Sequence, residues 1–139
     1  MPIEDLARSE AVTADPETSV TDLAATMAEE NVGSIVITDD QTPIGIVTDR
    51  DLTVRILGNA ADPTEQTAED VMTTELCTAE PGAGFYEAAN LMAEHGIRRL
   101  PLCEGDTLVG IITADDVTEL LADEHQQLGD IIRGQRPEY

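Results

Sequence analysis

The chain contains no lysine and few cations of any kind. Its 139 residues carry seven basic residues, all of them arginine, against 29 acidic ones, for a formal net charge of −22. Nucleic acid is not an expected partner, because its phosphates need a basic footprint. The repulsion among so many carboxylates destabilises a compact state, and about 1 M salt screens it. The acidic residues are spread along the chain, so we expect a high-salt cytoplasm, the alternative being an acidic protein that binds basic partners.

Long apolar runs and paired cysteines are also lacking. No run approaches the roughly 18 apolar residues of a membrane span, and no secretory signal opens the chain. We therefore expect a soluble cytoplasmic protein with no membrane partner. Cys77 and Cys103 have no C-x-x-C spacing, and His95 and His125 have no partner at metal-ligand spacing. The sequence thus predicts neither a disulfide nor a metal site.

What the chain does have is an internal duplication. Residues 3–57 and 68–122 match without a gap at a constant offset of 65, as in Gly110 against Gly45. The polar residues 58–67 then form a linker, and residues 123–139 form a C-terminal extension. A repeat that cannot bury its own apolar face must bury it against its neighbour. We therefore predict a single pseudo-symmetric core with a ligand cleft between the two repeats.

Each repeat predicts the same order of elements. A first helix carries an apolar stripe at i, i+3, i+4 and i+7 that starts at Val20 or Phe85, and it ends near Asn31 or Gly96. Two strands follow, expected at 34–38 and 44–47 and at 99–103 and 108–112. A second helix then begins. The pattern predicts a mixed α/β (α+β) fold, each repeat a small β-sheet packed on two helices. Beyond residue 123 we expect one more helical turn, at 128–132, and a frayed end.

A G-h-h-T-x-x-D segment (h apolar) closes each repeat at the junction of strand and helix. It contains Thr48 and Asp51 in the first copy and Thr113 and Asp116 in the second. One interpretation is a capping box, in which the threonine and the aspartate satisfy free amides of the helix. The other is a ligand site, because a helix N-terminus attracts phosphate and a carboxylate can accept both ribose hydroxyls. Two copies in matching context favour the site.

With residues 95–102 (HGIRRLPL) entering the next strand, this arrangement resembles a tandem CBS domain pair, or Bateman module, from residue 3 to about 122. The resemblance implies a regulatory sensor that binds AMP, ADP, ATP or a related adenosyl ligand in clefts between the repeats. It implies no catalytic residue, metal or catalytic cofactor. The residues that the resemblance places near ribose and phosphate are Thr48, Asp51, Thr113 and Asp116. It implies that Thr13 and Thr78 line the adenine pocket. It also implies that Ser34, Arg98 and Arg99 lie near the base or the phosphate.

The two clefts are not expected to be equal. Arg98 and Arg99 stand where the first repeat has Gly33 and Ser34. A polyanion bound to so acidic a chain needs local arginine forks, although pairing with surface carboxylates is the alternative role. The arginines expected at the cleft are Arg50, Arg55, Arg98 and Arg99.

Three functions compete at this point. The first is the nucleotide-binding regulatory module, acting on an unknown partner protein. The second is a structural interaction module that acts through homodimerisation, with the Thr–Asp pairs as helix caps only. The third is an enzyme such as the IMP dehydrogenases that carry this module, but the repeats leave no room for a barrel of about 250 residues, and we expect no catalysis. Apolar stripes on both helices of each repeat favour a homodimer over a monomer.

Overall fold

The computed structural model describes residues 1–136, and its helices and strands follow the duplication. In the first repeat they are β1 (Thr13–Ala14), α1 (Val20–Glu30), β2 (Ser34–Asp39), β3 (Thr42–Thr48) and α2 (Asp49–Asp51), which continues as a π-helical segment (Leu52–Leu57). In the second they are α3 (Ala68–Val71), α4 (Phe85–His95), β4 (Arg99–Glu104), β5 (Thr107–Thr113) and α5 (Ala114–Gln135). Short 3-10 turns lie at Ile3–Asp5 and Pro63–Glu65.

The two sheets share one topology. β2 pairs antiparallel with β3, and β4 pairs antiparallel with β5, in equivalent registers that set Ser34 against Thr48 and Arg99 against Thr113. β1 runs parallel to β2, and a parallel bridge from Ala79 to Leu102 stands at the corresponding place in the second repeat. The predicted helix–strand–strand–helix order and the mixed α/β fold class are therefore confirmed.

Local sequence chemistry accounts for the helix ends. The Ser19 side chain accepts a hydrogen bond from the amide of Asp22 and so caps α1, whose Leu23 is fully buried. Helices α1 and α4 both end in a left-handed residue, Asn31 at φ 54° and Gly96 at φ 61°. Asparagine and glycine tolerate this conformation best, which is why the predicted ends are confirmed.

The opening segments of the two repeats cross over. Ile3 is buried in the core of the second repeat, while Ala68 and Val71 are buried in the core of the first. The Ile3 amide donates to the carbonyl of Ala83 at 2.9 Å, and the Ala68 amide donates to the carbonyl of Thr18 at 2.8 Å. The predicted single core was wrong: there are two apolar clusters, each completed by the start of the other repeat.

The C-terminal half of α5 also departs from the prediction. We expected a separate turn and a frayed end, but the helix is continuous to Gln135, and Pro137 lies outside the described residues. Asp130 and Arg133 form an i, i+3 ion pair at 2.6 Å within this segment. The linker likewise contains a 3-10 turn, and hydrogen bonds from Thr64 cap that turn and lower the pKa of Asp62.

Candidate functional site

A cavity of about 560 Å³ lies between the two repeats. This volume is within the range of about 300–1,000 Å³ that is typical of small-molecule sites. Five stretches of chain form its walls: the segment before β1, the turn from α1 into β2, the turn from α4 into β4, and the two strand-to-helix junctions. The residues that line it are Arg8, Glu10, Ala11, Val12, Asn31, Val32, Gly33, Ser34, Val36, Asp49, Arg50, Arg98, Arg99, Ile111, Thr113, Ala114 and Asp115.

More arginines than acidic residues line this cavity, whereas acidic residues far outnumber basic ones in the chain as a whole. Four of the seven arginines line it, whereas only three of the 29 acidic residues do. Arg98 pairs with Asp115 at 3.5 Å, but both side chains are largely exposed, so the pair is weak. Gly33 leaves space for another arginine, because a β-carbon there would lie 2.8 Å from Nη2 of Arg99. The cavity therefore concentrates the cations that an anionic ligand requires.

The N-terminal ends of α2 and α5 both open onto the cavity. Asp49 and Arg50 contribute from α2, and Ala114 and Asp115 contribute from α5. The amide of Ala114 donates to the carbonyl of Arg98 at 2.8 Å, whereas the amide of Asp115 has no hydrogen-bond partner among residues 1–136. At α2 the corresponding amide, that of Arg50, donates to Oδ1 of Asp49 at 2.8 Å. The end of α5 thus keeps a donor for an anion, and the end of α2 satisfies its own.

Both Thr–Asp pairs form complete capping boxes. In the first repeat Oγ1 of Thr48 accepts from the Asp51 amide at 3.1 Å, and Oδ2 of Asp51 accepts from the Thr48 amide at 2.9 Å. In the second the corresponding bonds between Thr113 and Asp116 are 3.2 and 2.8 Å long. The capping interpretation therefore applies to both copies, and it leaves one oxygen of each carboxylate outside the box.

The structure brings half of the predicted site residues together in this cavity. Those that line it are Ser34, Arg50, Arg98, Arg99 and Thr113, and those that do not are Thr13, Thr48, Asp51, Thr78 and Asp116. Asp116 is joined to Thr113 by the capping box, so it lies beside the cavity wall. Thr13 and Thr78 are exposed, and Val12 lines the cavity instead of Thr13 because neighbouring residues of an extended chain point to opposite sides.

Arg8 and Arg55 exchange the roles that the sequence suggested. Arg55, expected at the cleft, does not line the cavity and instead donates to the carbonyl of Val71 at 2.9 Å. Arg8, which we did not single out, lines the cavity because its backbone pairs with Ile111 of β5. A prediction of the crossed opening segments would have placed Arg8 there, since residues 3–8 then lie against the second repeat.

The two cysteines do not line the cavity. Cys77 and Cys103 are free thiols, and burial raises the pKa of both, with smaller contributions from Glu94 and Asp106 respectively. Within residues 1–136 no three His, Cys, Asp or Glu side chains come together as metal ligands would. Over the same residues no helix has both the length and the apolar composition that a membrane crossing requires.

Comparison with known families identifies the repeats. The family model described as CBS domain matches residues 3–58 and again residues 68–123. The chain therefore belongs to the CBS domain family and carries two CBS domains in tandem.

Three known proteins show the range of this likeness. The chain is 34% identical over 120 residues to an uncharacterised protein of Methanopyrus kandleri, covering 85% of this chain but 61% of that protein. It is 33% identical over 115 residues to the CBS domain-containing protein YhcV of Bacillus subtilis, covering 83% and 81% of the two chains. The CBS domain pair of protein MJ0100, solved with 5′-methylthioadenosine and S-adenosyl-L-methionine, has a TM-score of 0.79 at 24% identity, covering 87% of this chain and 99% of that one. At 24% identity, the similarity to the MJ0100 domain pair shows a shared fold alone.

Proposed function

We propose that this CBS domain pair is a regulatory sensor that binds an adenine nucleotide, AMP, ADP or ATP, in the cavity between its repeats. The concentration of arginine in that cavity is the observation that supports the proposal most. A chain with a net charge of −22 has no general affinity for anions, yet four of its seven arginines meet at one cavity. Surface adaptation to salt accounts for the exposed carboxylates but not for this grouping of cations.

The chemistry of the walls suggests how the nucleotide lies. Arg50, Arg98 and Arg99 and the free amide of Asp115 suit the phosphates. The carboxylate of Asp116 suits the ribose hydroxyls, since its Oδ1 accepts no hydrogen bond within the part of the chain that the structure describes. Apolar residues also line the cavity and suit a purine ring; they are Ala11, Val12, Val36 and Ile111.

Calorimetric titration with AMP, ADP and ATP in about 1 M KCl tests the proposal. We expect saturable binding to the wild-type chain. Arg99→Ala should weaken it about tenfold or more, because a charge-assisted hydrogen bond is lost. Arg133→Ala is the matched control, since that arginine pairs with Asp130 on α5 and does not line the cavity. An intact fold that gives no heat with any adenosyl ligand would exclude this function.

One observation favours a second function, a structural interaction module. Both Thr–Asp pairs are fully explained as helix caps. If capping is their only role, Asp116→Ala lowers the melting temperature of the chain and leaves the affinity for nucleotide unchanged. Melting curves recorded with and without nucleotide separate the two functions, because a ligand that binds only the folded state raises the melting temperature.

We also propose that two chains pair through the C-terminal half of α5. Apolar side chains on this half are exposed, namely Leu128 at 59%, Ile131 at 56% and Ile132 at 61%. The N-terminal half of the helix is acidic, with Asp115, Asp116, Glu119, Asp123 and Glu124, whereas in the C-terminal half Asp130 and Arg133 form an ion pair and leave no net charge. Two copies of this apolar half, which carries no net charge, can approach each other despite the net charge of −22 on each chain, and this supports a homodimer over a partner recognised by opposite charge.

Light scattering in about 1 M KCl measures this assembly. We expect a dimer for the wild-type chain and a monomer for Leu128→Asp, which introduces a charge into the apolar stripe. Tyr86→Ser is the control, because Tyr86 is the most exposed large apolar residue on α4 and lies away from α5 in sequence. A wild-type monomer, or a dimer that survives Leu128→Asp, would contradict pairing through α5. A cytoplasm of high salt remains our proposed setting, and the protein under regulation is to be sought there.

A further inference from the structure

The two capping boxes differ in the surroundings of the carboxylate oxygen that lies outside the box, Oδ1 of the aspartate. In the first repeat Oδ1 of Asp51 lies 3.8 Å from Nε of Arg55, one helical turn further on. The residue that corresponds to Arg55 at the offset of 65 is Leu120, which offers no cation. Oδ1 of Asp116 therefore has no such partner within residues 1–136. The carboxylate suited to ribose is occupied in one repeat and open in the other.

Arg55 is held in this place by the chain that starts the second repeat. Its Nη1 donates to the carbonyl of Val71 at 2.9 Å and to that of Met72 at 3.4 Å. Its Nη2 lies 3.5 Å from Oγ1 of Thr73, to which it also donates. The carbonyls at the end of α3 lack partners within their own helix, so the guanidinium satisfies them. The arginine is thus fixed between Asp51 and α3 and is not free to turn toward a ligand.

The segment after α3 also differs from its counterpart in size. Met72 packs against β3 so closely that a β-carbon on Gly45 would lie 2.5 Å from its Sδ. The residue that corresponds to Met72 is Ala7, which is much smaller. The next position holds Thr73 in this segment and the cavity-lining Arg8 in the other. The Thr48 side therefore has a larger side chain at the first of these positions and no arginine at the second.

We infer that the chain binds one nucleotide, at the Thr113 side, and that Arg55 and Met72 close the equivalent site at Thr48. The inference rests on the proposed nucleotide function. The cavity agrees with it, since Thr113 and Arg8 line that cavity and neither Thr48 nor Thr73 does. The duplicated framework thus carries one binding site and one site occupied by the chain's own side chains.

Matched aspartate variants test which side binds. Asp51→Ala and Asp116→Ala remove equivalent capping boxes, so the stability that each variant loses controls for the other. Calorimetry with ATP in about 1 M KCl should give one nucleotide per wild-type chain. Asp116→Ala should abolish or weaken binding at least tenfold, and Asp51→Ala should leave affinity and stoichiometry unchanged. If Asp116→Ala does not fold, Asp116→Asn replaces it, because the amide oxygen still accepts from Thr113.

Exchanging residues between the repeats tests the closure. The double variant Arg55→Leu with Met72→Ala gives the Thr48 side the leucine and the alanine that stand at these two positions on the Thr113 side, and we expect its stoichiometry to rise from one to two. Wild-type binding of two nucleotides, loss of binding in Asp51→Ala, or a double variant that folds and still binds one would each overturn the inference alone. A wild-type chain that binds none would overturn the proposed function itself and the inference with it.

Discussion

The crossed opening segments predict that a substitution near the N-terminus destabilises the second repeat. Ile3 is fully buried among Ala88, Leu100 and Ile112. Replacing a buried isoleucine by alanine costs about 2–5 kcal/mol of unfolding free energy. We expect a loss of ~3 kcal/mol for Ile3→Ala, in the lower part of this range. Glu4 and Asp5 are exposed, so the opening segment can shift and partly fill the space that the isoleucine side chain leaves. That loss corresponds to a fall in melting temperature of about 10 °C.

Urea unfolding in about 1 M KCl measures the total loss, and amide hydrogen exchange locates it. Ile3→Ala should speed the exchange of β4 and β5 more than that of β2 and β3. Val71→Ala is the mirror-image variant, since Val71 is buried in the first cluster, and it should cost about 2 kcal/mol and act mainly on β2 and β3. Glu4→Ala is the control, because Glu4 is the exposed neighbour of Ile3.

Two results would refute the crossed arrangement. One is a loss below about 0.5 kcal/mol for Ile3→Ala, which is the size expected of a surface substitution. The other is faster exchange in β2 and β3 on replacing Ile3, which would place the opening segment on its own repeat.

Three further predictions concern charge, thiols and caps. The melting temperature should rise steeply from about 0.1 M to about 1 M KCl, because the Debye length falls from about 10 to 3 Å; a flat profile would contradict charge repulsion as the cause. Cys103 should resist alkylation near pH 8 in the native chain and react in urea, because burial raises its pKa and leaves less reactive thiolate at that pH. Equal alkylation rates in the native and the unfolded chain would argue against its burial. Asp51→Ala and Asp116→Ala should each cost about 1 kcal/mol by urea unfolding, and an unchanged midpoint would show that the caps contribute nothing.

Features that depend on local sequence were predictable. The stripe from Val20 to Met27, the turn residues Asn31 and Gly96, and the capping potential of Thr48 and Thr113 act within a few residues of chain. Each element could therefore be placed from the residues it contains, and the gapless duplication transferred the result from one repeat to the other. The fold class followed from that order.

Features that depend on contacts distant in sequence were not predictable. Arg55 contacts Val71, 16 residues away, and Arg8 pairs with Ile111 across the whole chain. The periodicity of the apolar residues does not indicate such contacts. Arg55 was therefore expected in the cleft, and Arg8 was overlooked. The continuous α5 was missed for a different reason: the residues after 123 lie outside the duplication, so the first repeat offers no counterpart for them, and Gly129 and Gly134 each cost only about 1 kcal/mol in an exposed helix.

The most direct test of the account is a calorimetric titration of the wild-type chain with ATP in about 1 M KCl. The arginine-lined cavity between the repeats predicts saturable binding of one nucleotide per chain, lost when Arg98 and Arg99 are both replaced by alanine. A folded wild-type chain that binds no adenine nucleotide, or a double variant that binds as tightly as the wild type, would contradict it.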